Sequence, residues 1–361
     1  MIRILPIMIL TLFFSCSKTD EPAVQPEEFL KDNATFPIGA AIDYGFLKDN
    51  TLYRSVLTRE HTSITAENAM KWNYTHPQPG VFNFADADYI VDFARSKGKR
   101  IHGHTLVWYQ FQDITWVRNF QGDSAMWEQM LKNHIQTQVA HFKGQVVSWD
   151  VVNEAFRDDD GSLRVLDKDP GTFDDGCLFA RKVGRDYIAR SFQYAHEADP
   201  SALLFYNEYG QEWSLKKIQS ILAMVADFKS RNIPIHGLGI QMHIDVKTLN
   251  SGIENAIRQL AATGLKIHLS ELDIRVNPSN TSPFVYTDAL QSAQQEKFRF
   301  VVKTYRSLVP ADQQFGITTW NVSDNDSWII NYLKRTDYPL LFNSSYQKKK
   351  TYNGFLQGLK D

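Results

Sequence analysis

Eight short apolar segments recur along this chain, and longer segments with helical periodicity separate them. The apolar segments are residues 36–43, 62–68, 100–106, 146–154, 202–208, 235–243, 266–273 and 315–320. Helix candidates between them include residues 124–142, 185–198 and 214–230, and in the last of these apolar side chains recur at spacings of three and four. Strands that are apolar along nearly their whole length, each followed by a helix, are typical of a parallel sheet covered on its outside. The pattern therefore predicts an α/β fold, the closed (β/α)8 or TIM barrel.

One domain is the simplest division of the chain after its first 28 residues. Residues 29–361 contain no internal repeat, low-complexity block or linker-like stretch. Hydrophobic residues make up 43% of the chain, which is enough for a large core, and barrels of this kind commonly reach this length as a single unit. We therefore expect one domain over residues 29–361, present as a monomer.

The charge balance argues against a nucleic-acid partner. Lys and Arg number 39 and Asp and Glu number 41, so the formal net charge is −2. A chain this close to neutral lacks the basic field that attracts phosphate backbones. Aromatic residues reach 13%, with eight Trp, which serve either a large core or a binding cleft lined with rings.

The first residues have the features of an export signal. Arg3 precedes an apolar run over residues 4–14, which is too short to span a membrane as a helix. The run ends in "FFSC", which resembles a bacterial lipoprotein signal, so residues 1–15 are predicted to be removed and Cys16 to carry the lipid. An incidental cysteine beside an ordinary cleavage site is the alternative. Residues 16–28 fit a flexible tether, and only Cys177 remains, so no internal disulfide is expected.

Polar side chains stand at the C-terminal ends of nearly all eight apolar segments. They are Asp43, Glu67 with Asn68, His104, Asn153 with Glu154, Asn207 with Glu208, Gln241 with His243, Glu271 with Asp273, and Trp320. A parallel barrel brings these ends to one face, where barrel enzymes place their sites. Helix capping explains any single Asp or Asn there, but it does not explain two His, a Gln and a Trp. The distribution predicts a functional site on this face.

The candidate reactive groups in this ring are carboxylates. A pair of carboxylates flanking a neutral substrate is what glycosidic cleavage requires. The rival chemistries lack their motifs, since there is no His-Glu-x-x-His, no Cys/His cluster, no G-x-S-x-G elbow and no P-loop. We therefore expect neither a catalytic metal nor a cofactor.

Seven motifs then carry a family resemblance. They are "ITAENAMKW" (64–72), "GHTLVW" (103–108), "WDVVNEAF" (149–156), "GRDYIARSFQYA" (184–195), "GLGIQMH" (237–243), "SELDI" (270–274) and "TTWNVSDNDSW" (318–328). In this order, across roughly residues 36 to 330, they resemble the xylanases of glycoside hydrolase family 10. The resemblance implies a retaining endo-1,4-β-xylanase that binds xylan or xylo-oligosaccharides. The N-terminal signal features separately predict export as an outer-membrane or cell-surface lipoprotein, or otherwise a periplasmic or secreted protein.

The resemblance also implies roles for individual residues. Glu154 falls on the general acid/base and Glu271 on the nucleophile. Supporting residues are Asn153, which would bond the 2-hydroxyl of the sugar being cleaved, and Gln241, His243 and Asp273 around the nucleophile. Substrate-binding residues are Glu67, Asn68 and Lys71 on the non-reducing side, His104 and Trp108 beside them, Asn207, and the aromatic lid of Trp320 and Trp328.

Some residues depart from the family's usual pattern. Tyr109 stands where His is usual, and either Gln110 or Gln112 could make the sugar contact that follows. Glu208 stands for a more usual Asp, and Asn321 for a Gly.

Two charged segments have plainer interpretations. The acidic loop 157–183 is interpreted as a solvated surface loop, with an ion site or an extra subsite wall as the alternatives. The lysine run at 348–350 is interpreted as a solvated helix start.

Two other functions remain open. The same fold could act on a different β-1,4-glycan, because the sequence does not show what would exclude a hydroxymethyl group. A polysaccharide-binding protein without activity could keep Trp320 and Trp328 but would not need Glu154 and Glu271 together.

Overall fold

The computed structural model describes residues 27–110, 114–166 and 176–361. Its strands are β1 (Ile38–Ile42), β2 (Ser63–Ala66), β3 (Arg100–Trp108), β4 (Ser148–Asn153), β5 (Leu203–Glu208), β6 (Gly237–Ile240), β7 (His243–Asp245), β8 (Lys266–Arg275) and β9 (Gln314–Trp320). Its helices are α1 (Tyr44–Asp49), α2 (Thr51–Glu60), α3 (Trp72–Thr75), α4 (Ala85–Ser96), α5 (Thr115–Arg118), α6 (Ser124–His141), α7 (Leu178–Lys182), α8 (Tyr187–Ala198), α9 (Leu215–Ser230), α10 (Asn250–Ala261), α11 (Asp288–Leu308), α12 (Trp328–Asn331) and α13 (Lys350–Lys360). Short 3-10 helices cover Leu30–Asp32 and Ala311–Gln313.

The strands close into a parallel barrel. Each strand from β1 to β5 pairs with the strand that follows it. β6 then pairs with β8, β8 with β9, and β9 with β1, which closes the barrel. β7 continues the path of β6 and also pairs with β8, so β6 and β7 share one of the eight barrel positions. The predicted (β/α)8 barrel is confirmed.

One predicted strand is divided. The segment 235–243 forms β6 and β7 instead of a single strand, because Met242 has a φ of 61°. That left-handed conformation interrupts an extended chain.

Burial explains why the strand segments look apolar from end to end. Every residue of β1, β2, β4 and β6 is buried. Helices cover the outside, and the predicted helix segments correspond to α6, α8 and α9. Two of these begin at a side-chain cap, since Asp123 accepts from the N–H of Met126 and Ser214 from that of Lys217.

The first described residues pack on the N-terminal face of the barrel, opposite the C-terminal ends of the strands. The N–H of Leu30 donates to Oε2 of Glu60 at 3.1 Å, and Glu60 ends α2 just before β2 begins. The hydroxyl oxygen of Tyr352 in α13 lies 2.9 Å from the carbonyl oxygen of Glu28 and 2.7 Å from Oε2 of Glu60, so its single proton has two acceptors within reach. Residues 27–33 are therefore held on this face by α2 and α13.

The lysine run differs from its sequence interpretation. α13 begins at Lys350, and the preceding Lys349 is largely buried instead of solvated. Its Nζ donates to Asp324 Oδ2 at 2.8 Å and to the carbonyl oxygen of Tyr338 at 2.7 Å. This lysine joins the start of α13 to the loop after β9.

Several sequence predictions fall outside the described residues. These are the signal at 1–15, Cys16 with most of the tether, Gln112, and residues 167–175 of the acidic loop. Among the described helices, none combines the length and apolar character needed to cross a membrane.

Candidate active site

A cleft of about 1000 Å³ opens at the C-terminal ends of the strands. Of the side chains predicted from the sequence, those that line it are Glu67, Asn68, Lys71, His104, Trp108, Asn153, Glu154, Gln241, His243, Glu271, Asp273, Trp320 and Trp328. The residues come from at least six different barrel strands or the loops that follow them. Barrel closure alone therefore assembles the set, as expected for a site on this face.

Glu154 follows the last residue of β4 and is surrounded by N–H donors. Its Oε1 accepts from Asn153 Nδ2 at 3.0 Å and Gln241 Nε2 at 2.8 Å, and its Oε2 accepts from Trp108 Nε1 at 2.8 Å. Its backbone lies in the left-handed region with a φ of 58°, and its side chain is 8% exposed. Strained backbone at a cleft-lining carboxylate is a common sign of a functional position.

Glu271, in β8, is held as a carboxylate by a protonated histidine. His243 Nε2 lies 3.0 Å from Glu271 Oε2, and His243 Nδ1 lies 2.8 Å from Asp273 Oδ2. Burial opposes the charged imidazolium, but the two carboxylates together raise the pKa of His243 to about 10. Burial alone would raise the pKa of Glu271, yet the hydrogen bond from His243 and the nearby positive charge lower it overall.

Asn207 lies beneath the cleft instead of in its wall. The sequence predicted a substrate contact, but this side chain is fully buried and does not line the cleft. Its Nδ2 donates to Asn153 Oδ1 at 2.9 Å and to Glu271 Oε1 at 2.6 Å, and its Oδ1 accepts from Ser270 at 2.6 Å. Asn207 thus connects the two strand ends that carry Glu154 and Glu271.

One glycine makes room for this amide. A Cβ built on Gly239 in β6 would lie 2.0 Å from Asn207 Oδ1, which is far inside contact distance. Position 239 therefore has to lack a side chain for Asn207 to take its present position.

The wall after β2 carries a buried acid and a partly buried lysine. Burial raises the pKa of Glu67 to about 7 although Lys71 opposes this effect, and Asn321 Nδ2 donates to Glu67 Oε2 at 2.7 Å. Lys71 Nζ donates to Asn68 at 3.0 Å and lies 5.0 Å from the ring centre of Trp108. Burial lowers the pKa of Lys71, while Glu67, Glu271 and Glu154 oppose that change. The departure at position 321 thus places an amide on Glu67.

Hydrogen bonds to buried aspartates position two of the remaining aromatic rings, those of His104 and Trp328. His104 Nδ1 lies 2.9 Å from Asp150 Oδ2, and the His104 ring meets Trp320 edge to face at 5.1 Å. Trp328 Nε1 donates to Asp273 Oδ2 at 2.8 Å, the same oxygen that holds His243. The two lid tryptophans therefore lie next to the histidines.

Two of the carboxylates predicted at the strand ends have structural roles instead. Asp43 caps α1 by accepting from the N–H of Phe46 at 3.0 Å. Glu208 is fully buried, where Lys217 Nζ lies 3.0 Å away and the hydroxyl of Tyr206 donates at 2.7 Å. Burial raises the pKa of Glu208, with Lys217 opposing it.

Sequence reasoning missed the residues that support Glu154. Arg164 is 4% exposed, and its Nε donates to the carbonyl oxygen of Glu154 at 3.1 Å. Its guanidinium also stacks on Tyr109 at 4.4 Å. The sequence did contain a clue, because Arg164 is a basic residue within the acidic loop 157–183. Interpreting the whole loop as solvated overlooked it.

The segment after β3 holds the glutamine whose sugar contact the sequence left open. Gln110 lines the cleft and donates to the Tyr109 hydroxyl at 3.1 Å, while Gln112 falls outside the described residues. Within the described ranges no three His, Cys, Asp or Glu side chains are grouped so as to hold a metal ion.

The two glutamates have different surroundings. One is an ionised carboxylate paired with an imidazolium, the other sits among neutral N–H donors, and an amide network joins them at one cleft wall. On a (β/α)8 barrel, this arrangement defines a glycoside hydrolase.

Comparison with known proteins identifies the family. Residues 27–358 match glycosyl hydrolase family 10. The chain is 34% identical to the endo-β-1,4-xylanase Xyn10C of Cellvibrio japonicus, covering 90% of this chain and 56% of that protein. It is 35% identical to a β-1,4-xylanase of Dictyoglomus thermophilum, covering 97% of this chain and 96% of that protein. The chain belongs to glycosyl hydrolase family 10.

The fold comparison agrees. The structure of a mutant xylanase 10C from Cellvibrio japonicus in complex with xylopentaose has a TM-score of 0.84 and 34% identity. The match covers 92% of this chain and 69% of that one. The predicted resemblance to the xylanases of this family is therefore confirmed.

Proposed function

We propose that this protein is an endo-1,4-β-xylanase that cleaves internal bonds of xylan by double displacement, with retention at the anomeric carbon. One observation carries the proposal: Glu154 and Glu271 line the same cleft, are linked through the amides of Asn153 and Asn207, and have different hydrogen-bond partners. Family relatives named as xylanases, and the relative solved with xylopentaose, support xylan as the substrate.

In the first step Glu271 attacks the anomeric carbon and Glu154 protonates the departing glycosidic oxygen. Glu271 is suited to this because His243 and Asn207 hold its oxygens and its pKa is lowered. The bond between carbon and the leaving oxygen breaks as a covalent glycosyl ester forms on Glu271.

In the second step Glu154 removes a proton from water, which attacks the ester and frees Glu271. The N–H groups of Asn153, Gln241 and Trp108 stabilise the ionised Glu154 that this step needs. Asn153, Glu67, Asn68, Lys71, His104, Trp320 and Trp328 are proposed to contact the sugars, and no cofactor takes part.

The two glutamates can be tested separately. Glu271→Ala is expected to abolish release of reducing ends from xylan. Glu154→Ala should slow it by roughly 10²- to 10⁴-fold, as expected for lost acid–base catalysis. An aryl xylobioside with an activated leaving group needs no proton, so Glu154→Ala should still form the ester and azide should restore its turnover. Glu296→Ala, an exposed glutamate of α11, is the control.

The stereochemistry and substrate are read in the same assay. Proton NMR of the first product should show the β anomer, and an initial α anomer would contradict the roles given to the two glutamates. Xylan, β-glucan and cellulose are compared side by side. Preferred turnover of cellulose would redirect the proposal to another β-1,4-glycan, and xylan binding without turnover would favour a binding protein.

We further propose that the protein is exported and anchored by lipid on Cys16, and is otherwise a monomer. Support comes from Arg3, the apolar run 4–14 and the cysteine that follows it. In cells fed labelled palmitate, Cys16→Ser should lose the label and leave the membrane fraction. Cys177→Ser is the matched control because that thiol is buried. Label retained by Cys16→Ser would refute the anchor, and a dimer in sedimentation would refute the monomer.

A further inference from the structure

A second cavity, of about 620 Å³, lies on the same face as the cleft. We call it the outer groove. It is bounded by residues 211–215, after β5, and residues 245–255, which run from the end of β7 into α10. Trp213 lines both the outer groove and the cleft, so the two cavities adjoin at this side chain. The volume falls within the usual range of ligand pockets.

The groove contains a buried carboxyl group that nothing in the described chain satisfies. Glu212 is 4% exposed, and neither of its carboxylate oxygens has a hydrogen-bond partner among the described residues. Burial raises the pKa of Glu212 to about 7, and the nearby N–H groups of Glu212 and Gly210 and the charges of His243 and Lys217 oppose this. A buried polar group left without a partner costs free energy, so both carboxyl oxygens are available to a ligand that supplies hydroxyl groups.

The backbone holds Glu212 firmly in this position. A Cβ on Gly252 would lie 2.0 Å from the carbonyl oxygen of Glu212, so the first turn of α10 packs directly on this loop. α10 also begins without a side-chain cap, and the N–H groups of its first turn are potential donors beside the groove.

Apolar side chains stand open around this carboxyl. Trp213 is 56% exposed, and Leu215 and Leu249 are 59% and 73% exposed. An exposed indole beside a buried hydrogen-bonding group suits a sugar, which presents an apolar ring face and polar hydroxyls.

The position of the groove indicates which part of a substrate would reach it. In the barrel order, β5 and the β6–β7 position lie across from β2, whose following loop carries Glu67, Asn68 and Lys71. Those residues are assigned to the non-reducing side of the cleaved bond. A glycan that leaves the cleft over Trp213 therefore runs toward its reducing end.

We propose that the outer groove binds a pyranose unit of the glycan on the leaving-group side of the cleaved bond. Trp213 stacks on the sugar ring, and Glu212 hydrogen-bonds to a hydroxyl. The proposal rests on the proposed function and adds a distal site that favours long chains over short ones.

The test compares long and short substrates with a variant confined to the groove. Glu212→Met keeps the length of the side chain and removes its hydrogen bonding. We expect kcat/KM for polymeric xylan to fall roughly two- to ten-fold, the effect of one lost hydrogen bond. An aryl xylobioside ends at its leaving group, so its kcat/KM should not change. Leu249→Ala should act in the same direction, with the exposed Leu52→Ala in α2 as its matched control.

Stability separates a binding role from a structural one. Because the unpaired carboxyl costs free energy, Glu212→Met should raise the melting temperature while weakening use of polymer. A lower melting temperature, an equal loss on both substrates, or unchanged activity on polymer would each overturn the proposal.

A binding measurement on an inactive variant tests the outer groove independently of the proposed catalytic function. Xylohexaose is titrated calorimetrically into Glu271→Ala with and without Glu212→Met. Weaker binding in the double variant supports the groove, and equal binding overturns it. Failure of the wild-type protein to hydrolyse xylan would instead count against the proposed function alone.

Discussion

At the scale of single residues, the site depends on charge held in place by neighbours of opposite charge. His243 lies between Glu271 and Asp273, and Asp273 also accepts from Trp328. One imidazolium therefore fixes a proposed nucleophile and, through Asp273, a ring of the lid. The same pairing makes the stability of the protein depend on pH.

His243→Gln is expected to destabilise the protein by an amount that changes with pH. The folded-state pKa of His243 is raised from its ordinary 6.5 to about 10, so its stabilising effect is complete below the unfolded value and is lost as the pH rises toward 10. We expect a loss on the order of 3 kcal/mol at about pH 6, as for other broken buried pairs, and a smaller loss near pH 10. Urea unfolding across this range measures it.

A surface histidine provides the control for this experiment. His141 pairs with the exposed Asp88, so His141→Gln should change stability by less than about 0.5 kcal/mol. A destabilisation by His243→Gln that stays constant from acid to alkaline pH would show that His243 is not held charged by its two carboxylates.

Motifs supplied most of the site at this scale but not its support. Glu154, Glu271 and His243 could be named because each lies in a short, recognisable pattern. The burial of Asn207 could not, because its position depends on the missing side chain of Gly239, 32 residues away in sequence and adjacent only after β5 and β6 pair. The contact from Arg164 to Glu154 likewise depends on how a loop folds back.

At the scale of elements, β5 and β6 cooperate to place one amide. Asn207 and Gly239 are register partners in this pair, and the amide then reaches both Asn153 and Glu271. The position of β6 therefore affects both glutamates, because it determines where the Asn207 amide lies.

Gly239→Ala is expected to lower kcat on xylan by about tenfold or more, because the added methyl would displace Asn207 from Glu271 and misplacement of reacting groups is costly. Steady-state kinetics and a melting curve measure the effect. In an Asn207→Ala background the methyl has nothing to displace. Gly239→Ala should then cost much less, so the two changes should be non-additive. Additive losses would contradict this account.

Strand and helix segments were predictable because burial on both faces leaves a continuous apolar run. The exception, at Met242, depends on a backbone conformation that no residue type announces, since Met has no preference for a positive φ. The proposed role of Gln241 depends on this break, because its side chain reaches Glu154 from just after β6.

At the scale of the whole molecule, charged residues fasten the start of α13 to the rest of the fold. Lys349 is largely buried against Asp324, whereas its neighbour Lys350 pairs with Asp288 at the surface. The repeated lysines look alike in sequence, and only the packing of α13 on the barrel separates their roles.

This difference makes a matched pair of substitutions. Lys349→Met should destabilise the protein by on the order of 3 kcal/mol at neutral pH, because Asp324 is left charged and buried. Burial already raises the pKa of Asp324 to about 6 with Lys349 opposing it, so the loss should shrink in acid, where the carboxyl is protonated. Lys350→Met should change stability by less than about 0.5 kcal/mol. Denaturant titrations measure both changes. Equal losses of stability in the two variants would support the earlier interpretation, in which all the lysines of the run are solvated.

Barrel closure was predictable from the eight alternating segments, but the docking of residues 27–33 was not, because their polar sequence matches a free linker as well as a packed one. Those residues meet α2 and α13 at the face opposite the cleft. Contacts made by residues 27–33 therefore lie on the side of the barrel away from its mouth. A polymer too large to diffuse can lie across the mouth without meeting them.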